Sequence, residues 1–544
     1  MNLPISAIPI FDSSVLNLHY HVYMSCAYQT YVIISLSLPV MDLQFPLIFL
    51  SFLVIVFVFL ASRSTNTARK LPPGPRKLPI IGHIHKLRGQ VQHRVITDLS
   101  KRHGPIMHLQ LAEISVIVVS SSSLANQVLK THDLAFADRA QLQLSKIILE
   151  GCKDVAYSRY DDYWRQMKKI CKVELLTLNK VTSFRSIRED EAWSLVESVK
   201  NSLDSPINLT YLFTSLANSI ACRAAIGERS KYQDELVHLI ESMAASGGGF
   251  DVADLFPSYK LLHAFSGLKA KLIKLRTRVD VIFFNIIKEH KEKRAKAKQS
   301  NGRGSGEEDL VDVLLRLQEE SSFEFPITSS DIKGIIIDML AAGTDTAAAT
   351  LDWAMSELVR KPEVMEKAQS EVREAFKGKA KIQEVDLEDL HYLKHVIKET
   401  LRLHPPAPML LPRECREECQ VEGYTIPVGS KLFVNAWAIN RDPEYWPDPD
   451  SFEPMRFEKK CVDYSGTNMN YIPFGAGRRS CPGITFGIAT MELPLALLLY
   501  HFDWKPPNGL NPEDLDMNEV LGASLKRKTN LLLTAISRTP DDYT

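Results

Sequence analysis

One stretch of the chain, Pro473-Phe474-Gly475-Ala476-Gly477-Arg478-Arg479-Ser480-Cys481-Pro482-Gly483, combines residue types that could do chemistry. Its glycines let backbone come close to a large flat object. Cys481 stands just ahead of an apolar helical run, 484–500. At the positive end of a helix, backbone N–H groups and the dipole lower a thiol's pKa and favour the thiolate. A thiolate on haem iron pushes electron density onto the metal and favours O–O cleavage. Arg479 offers a cation for a haem propionate, so the loop reads as an iron site with Cys481 as the metal ligand. Most single cysteines are buried, inert thiols; the surrounding string sets this one apart.

The string resembles the F-x-x-G-x-R-x-C-x-G signature of cytochromes P-450, with Phe474, Gly477, Arg479 and Cys481 in its places. The resemblance implies a mainly α fold with small β-sheets, haem b with Cys481 as axial thiolate, and monooxygenase activity. It covers about 70–540, and further motifs follow in the family's chain order. Glu399-Thr400-Leu401-Arg402 looks like E-x-x-R. That spacing puts both charges on one helix face, free to join Arg456 of Pro454-Met455-Arg456-Phe457 in an inward structural network. Ala342-Gly343-Thr344-Asp345-Thr346 resembles the oxygen-activation segment. Glycine in mid-helix costs about 1 kcal/mol against alanine, which suggests close approach by dioxygen. Asp345 and Thr346 are expected to kink the helix and relay protons as catalytic general acids.

Trp164-Arg165-Gln166-Met167-Lys168-Lys169 resembles the helix that reaches the propionates through Trp164 and Lys168, and Arg413 is a further propionate candidate. No G-x-G-x-x-G follows a strand, so NADPH is expected to act only indirectly. Electrons then come from NADPH–cytochrome P-450 reductase, docked on the cysteine side, where Lys168, Lys169 and Arg478 could offer a basic patch.

Runs such as Phe184-Arg185-Ser186-Ile187-Arg188-Glu189 are similar to plant members that hydroxylate terpenoids, including limonene and sesquiterpene hydroxylases. They imply a small apolar substrate. Its pocket is expected from the haem-covering loop near 139–158, from Ala342 and Thr346, from Ala407 and Met409, and from Ala523. Two departures from the family lie in or beside that loop: Ser158-Arg159-Tyr160-Asp161 replaces proline-tyrosine-glycine, and Ala140 stands where F-x-x-R-P puts proline. They bear on substrate, not fold. A reductase-independent isomerase or dehydratase would be favoured by an apolar residue at 346, and a non-catalytic haem protein would show no turnover with reductase. Cys415-x3-Cys419 looks zinc-like but lacks a second Cys/His pair.

The elements that must hold these residues are mostly helical. Apolar periodicity predicts helices at 190–201, 235–245, 268–299, 331–361 and 363–376. Strand signals fall at 115–119, 419–426 and 431–435, and 301–308 reads as a linker. These belong to one catalytic domain, 76–544. With 45% hydrophobic and 24% charged residues, the chain can bury a large core. Basic and acidic residues balance at 65 each, giving no case for nucleic acid. Eight cysteines are too few for a disulfide scaffold.

No Lys or Arg precedes Arg63, and 45–61 is almost purely apolar. A bilayer span needs roughly 17–25 such residues. Basic residues only on its C-terminal side put that side in the cytosol. The reading is a single signal-anchor over 41–62 in the endoplasmic reticulum membrane, with the catalytic body cytosolic. Residues 63–75 form a basic hinge stiffened by Pro72, Pro73 and Pro75. Residues 1–40 are read as an extension from an alternative start, since Met41 could itself begin the chain.

Overall fold

The structure is a computed structural model that describes residues 46–56, 70–87, 91–227, 232–244, 251–260, 267–299, 308–320, 323–379, 381–460, 462–522 and 524–538. Contacts divide the chain into residues 1–69 and 70–544. In the first unit, α1 (Pro46–Val56) is a short apolar helix with Leu47, Ile48, Phe49 and Ile55 exposed. The remainder of the expected anchor, residues 1–40 and hinge residues 63–69 lie outside the described residues.

The second unit is mainly helical with small sheets, the architecture the resemblance implies. Strands β1 (Ile106–Leu111) and β2 (Ile114–Val119) form an antiparallel hairpin. Then come α2 (Asp162–Ile170), α3 (Leu209–Ile226), α4 (Leu268–Gln299), α5 (Ser329–Arg360), α6 (Pro362–Ala375), α7 (His391–Leu403) and α8 (Ile484–His501). A last hairpin, β3 (Glu519–Leu521) with β4 (Leu525–Arg527), closes on the body. The run 419–426 is two strands, Cys419–Val421 and Tyr424–Ile426, because Glu422 and Gly423 both take positive φ and turn the chain back. Helix α3 escapes a periodicity reading because it is buried almost all round and presents no polar stripe.

Helix α5 runs through the middle of the body. Thr328 caps it with a reciprocal capping box: its side chain accepts from the Asp331 N–H while Asp331 accepts from the Thr328 N–H. Such a cap is worth about 1 kcal/mol. Its buried alanines 347–349 let α3 pack closely through its own small residues, Ala217, Ala221 and Ala224. The helix continues for 32 residues through Asp345 and Thr346. Thr346 and Thr350 return their hydroxyls to carbonyls four residues back without opening the ladder. The main core joins Leu351, Met355 and Leu358 of α5 to Val396 and Leu401 of α7 and Leu495 and Leu498 of α8.

The largest sheet has strand order β1, β2, Lys431–Val434, Arg413–Glu414, Asp138–Arg139. Strand β2 pairs in parallel with Lys431–Val434, so a long crossover must lie between them. That topology brings Arg139 and Arg413 into register as direct cross-strand partners.

Candidate active site

The cysteine loop is a tight reversal ahead of α8. The Cys481 N–H donates to the Phe474 carbonyl at 3.0 Å, and the Ser480 N–H to that of Gly477. Gly477 has φ +71°, and a Cβ there would stand 2.0 Å from the Leu129 carbonyl oxygen, so only glycine fits. Phe474 is half-buried with its ring edge-on to Tyr464.

Cys481 is exposed, yet its thiol's pKa is raised by desolvation among the surrounding protein. The sulfur is thus accessible while closely surrounded by protein. The Gly483 N–H, 3.4 Å from Sγ, and the Lys168 charge pull the pKa down, but desolvation wins. Haem iron bound at this sulfur would supply the positive charge that favours the thiolate.

Around the loop lies a set of buried cations, with the carboxylates of Asp133, Asp138, Asp154 and Asp161 nearby. Arg139, Arg413 and Arg479 are each under a tenth exposed. Arg479 donates only to carbonyls, those of Ala137 (2.7 Å), Val155 (3.3 Å) and Ser158 (2.6 Å), and its guanidinium lies 4.0 Å over the Trp164 ring. Arg139 likewise donates to the carbonyls of Ala156 and Leu411. Arg413 has a carboxylate, Asp133 at 2.7 Å, and the Ala476 carbonyl. Lys168 donates to the carbonyls of Arg478 and Ser480, both at 2.7 Å. Desolvation first, then the neighbouring arginines, lowers the Arg479 pKa to about 9 and the Lys168 pKa to about 8. Arg139 is depressed further, by desolvation and by Arg479 and Arg413.

Like charges facing across a strand pair are destabilising. A cluster of this kind asks for anions, and the two propionates of a haem fit it, with the accessible Cys481 as the iron ligand. Arg139 is the member that motif reading missed. Its signal was Phe136-x-x-Arg139, where attention went to Ala140. Replacing Arg139 by Met is expected to speed haem loss about tenfold with a smaller effect on the haem-free protein, because a buried charge crowded by Arg413 and Arg479 is removed. Haem transfer to an apo-globin and thermal unfolding of both forms check it.

The loop over this region is pinned to α5. Asp338 accepts from the N–H groups of Val155 (2.7 Å) and Ala156 (3.2 Å). A Cβ at Gly334 would stand 1.8 Å from the Lys153 carbonyl oxygen, so helix and loop touch backbone to backbone. Trp164 Nε1 donates to Val155 O at 3.0 Å. Ser158, one of the departures, is buried and donates its hydroxyl to the Cys152 and Asp154 carbonyls. Ala140 is buried too.

On α5, Ala342 is exposed among mostly half-buried neighbours, and Thr346, one turn on, donates its hydroxyl to Ala342 O at 2.7 Å. A Cβ at Gly343 would meet Phe486 Cε1 at 3.6 Å and Ala221 Cβ at 3.7 Å, ordinary van der Waals distances. The same contact is informative: Phe486 follows Cys481 closely in the chain and sets the start of α8 against the 342–346 segment. Asp345 is turned the other way, to Ser524 and Lys526.

Glu399 and Arg402 are wholly buried and bidentate, at 2.7 and 2.8 Å. Arg402 also donates to the carbonyls of Asn440, Pro449 and Ser451, and Arg456 Nε reaches Glu399 at 2.9 Å. The network ties α7 to the irregular chain that leads into the cysteine loop. Ala407 begins a turn closed by the Leu410 N–H. Met409 packs among Leu87, Met107, Val118 and Leu255 against the large sheet. Ala523 lies outside the described residues. Of the three basic residues read as a docking patch, Lys169 and Arg478 are exposed, but Lys168 is tucked under the cysteine loop.

The family model described as cytochrome P-450 matches residues 72–534. A cytochrome P-450 of Panax ginseng is 72% identical over 92% of this chain and 99% of its own length. Premnaspirodiene oxygenase of Hyoscyamus muticus is 51% identical over 90% of this chain and 98% of its own. Among solved structures, a zebra fish cytochrome P-450 with abiraterone superposes with a TM-score of 0.69 at 23% identity, covering 82% of this chain and 99% of that one. Shared motifs, shared fold and full-length similarity converge: the chain belongs to the cytochrome P-450 family.

Proposed function

We propose that this monooxygenase hydroxylates a small apolar plant metabolite of the terpenoid class. Electrons come from NADPH through a separate reductase, and the N-terminal helix holds the enzyme to the endoplasmic reticulum membrane. The observation that carries the substrate class is the 51% identity, over nearly the whole catalytic body, to a relative named for oxygenating premnaspirodiene.

Haem, ligated by the Cys481 thiolate, supplies dioxygen activation when bound. The chain's own residues do the rest. Arg139, Arg413, Arg479 and Trp164 hold the carboxylate edge of the cofactor and fasten the covering loop through its carbonyls. Asp338 and Gly334 keep that loop on α5, which excludes water from the reacting face. Ala342 leaves space for substrate beside Thr346. Thr346, with its hydroxyl in the cavity wall, and Asp345 beside it move protons inward.

Thr346→Ala is expected to lower product formation by about tenfold or more and raise hydrogen peroxide released per NADPH, as loss of a general acid should. The substrate class is tested in membranes with added reductase, reading terpene-induced Soret shifts and oxygenated products. Shifts and products from flavonoids, alkaloids or fatty acids, with none from any mono-, sesqui- or diterpene, would overturn it.

A further inference from the structure

The covering loop runs beside α5 in step with it. Ser330 Oγ donates to Glu150 Oε2 at 2.6 Å, and Lys333 Nζ pairs with Glu150 Oε1 at 2.5 Å. Gly334 meets the Lys153 carbonyl, and Asp338 accepts from the N–H groups of Val155 and Ala156. From Ser330 to Asp338, about 12 Å of helix at 1.5 Å per residue, α5 is matched to residues 150–156 in the same direction. Ala342, one turn further on, is exposed.

The turn that begins this match is not one the chain favours by itself. Glu150, Gly151 and Cys152 take φ of +47°, +86° and +65°, a left-handed region in which only the glycine is at ease. Its grip comes from charges on two helices. Lys333, with a side chain only 6% exposed, also pairs with Asp280 of α4 at 2.5 Å. Arg276 of α4 reaches Glu150 at 3.3 Å and Asp280 at 3.2 Å. Desolvation raises the Glu150 pKa, but Lys333, Ser330 and Arg276 outweigh it and hold the pKa at about 2. Beside the ions, Leu144 and Ile148 share an apolar core with Leu272 and Val279 of α4 and Ile336 of α5. Apolar packing is non-directional and sets no register. A lysine taken out of water gains little net stability from its carboxylates, so a defined arrangement is what this one adds.

We propose that Glu150 is a positioning residue: clasped by Ser330 and Lys333, it sets the register of the covering loop on α5, and so the size of ligand admitted beside Ala342. The inference rests on the reading above that residues 139–158 cover the haem. The same register brings the Val155, Ala156 and Ser158 carbonyls to Arg139 and Arg479. Without the clasp, the strained turn is free to relax, and the residues after it lose their fixed place on the helix. The space beside Ala342 then changes shape, while Cys481 and its loop are untouched.

The test uses the full-length holoprotein in membranes, as wild type, Glu150→Ala, Glu150→Gln, Lys333→Met and Asp338→Ala. Dissociation constants for imidazole and the bulkier 4-phenylimidazole are read from the Soret shift each causes on binding haem iron. Glu150→Ala and Lys333→Met should each shift the ratio of the two constants by about threefold or more, and their double variant no further, because both remove one interaction. Glu150→Gln, which keeps an acceptor for Ser330 and Lys333, should lie nearer wild type than Glu150→Ala. Should Glu150→Ala not take up haem, Lys333→Met carries the same comparison. Thermal unfolding is read alongside. A lowered midpoint with an unchanged ratio would show a merely structural clasp and overturn the proposal. So would additive shifts in the double variant, or equal shifts in Glu150→Gln and Glu150→Ala. If Asp338→Ala, which frees the loop further along, also leaves the ratio unchanged, the loop does not bound the haem site and that reading fails too. If Asp338→Ala shifts the ratio and Glu150→Ala does not, only the positioning role fails.

Discussion

Cys481→Ser is expected to abolish the red-shifted Soret band of the dithionite-reduced, carbon monoxide-bound protein. The reason lies in the site's electrostatics. Desolvation holds the thiol's pKa up, and its only local counterweights are the Gly483 N–H and Lys168. A serine hydroxyl, far less acidic, would be neutral in the same surroundings and too weak a donor to iron. Monooxygenase activity should fall to background. The loop should survive, because its closure is backbone to backbone, from Cys481 N to Phe474 O, and does not involve sulfur. Spectra of wild type and variant at equal haem content are the check. A variant that kept the band would show that another residue ligates iron and would remove the basis for the mechanism.

The second large effect is expected from Arg402→Ala. Arg402 holds Glu399 in two bonds and three carbonyls besides, with both side chains wholly buried. Removing one partner of a buried pair typically costs about 3–5 kcal/mol, since the other charge is left unpaired. Here Glu399 would keep Arg456 and the Glu453 N–H, so charge is partly compensated, but the chain leading into the cysteine loop loses its clamp. The expected result is protein that accumulates poorly and carries little haem, with a midpoint lowered by several degrees. Haem-to-protein ratio and thermal unfolding read it. A variant with normal haem content and midpoint would mean that α7 and the loop are held by packing alone.

What could be read from the chain was what is contiguous. The cysteine loop and Glu399-Arg402 lie within single turns or one short string, so spacing alone exposes them. The long helices α4 and α6 show through their apolar stripes. What escaped depends on partners brought together by topology. Arg139 acquires its meaning only beside Arg413, its cross-strand neighbour in a sheet that needs a long crossover. Lys526 reads as an ordinary surface lysine until the hairpin is laid on α5. The neighbours of Gly343, Ala221 and Phe486, likewise come from two distant helices. Helix α3 hid because complete burial erases the contrast that periodicity needs.

The opposed arginines also bear on how the protein is made. Residue 139 leaves the ribosome early, its partner at 413 late, and Arg479 with the cysteine later still. Every step toward completing the sheet therefore gathers positive charge in one place, with Asp133 as the carboxylate in hydrogen-bonding reach of the cluster. A bound haem would then bring two further carboxylates to the three arginines. A cell short of haem would be left with a polypeptide whose centre repels itself. Such chains would be turned over instead of stored, so that the amount of this enzyme follows haem supply even at constant messenger level.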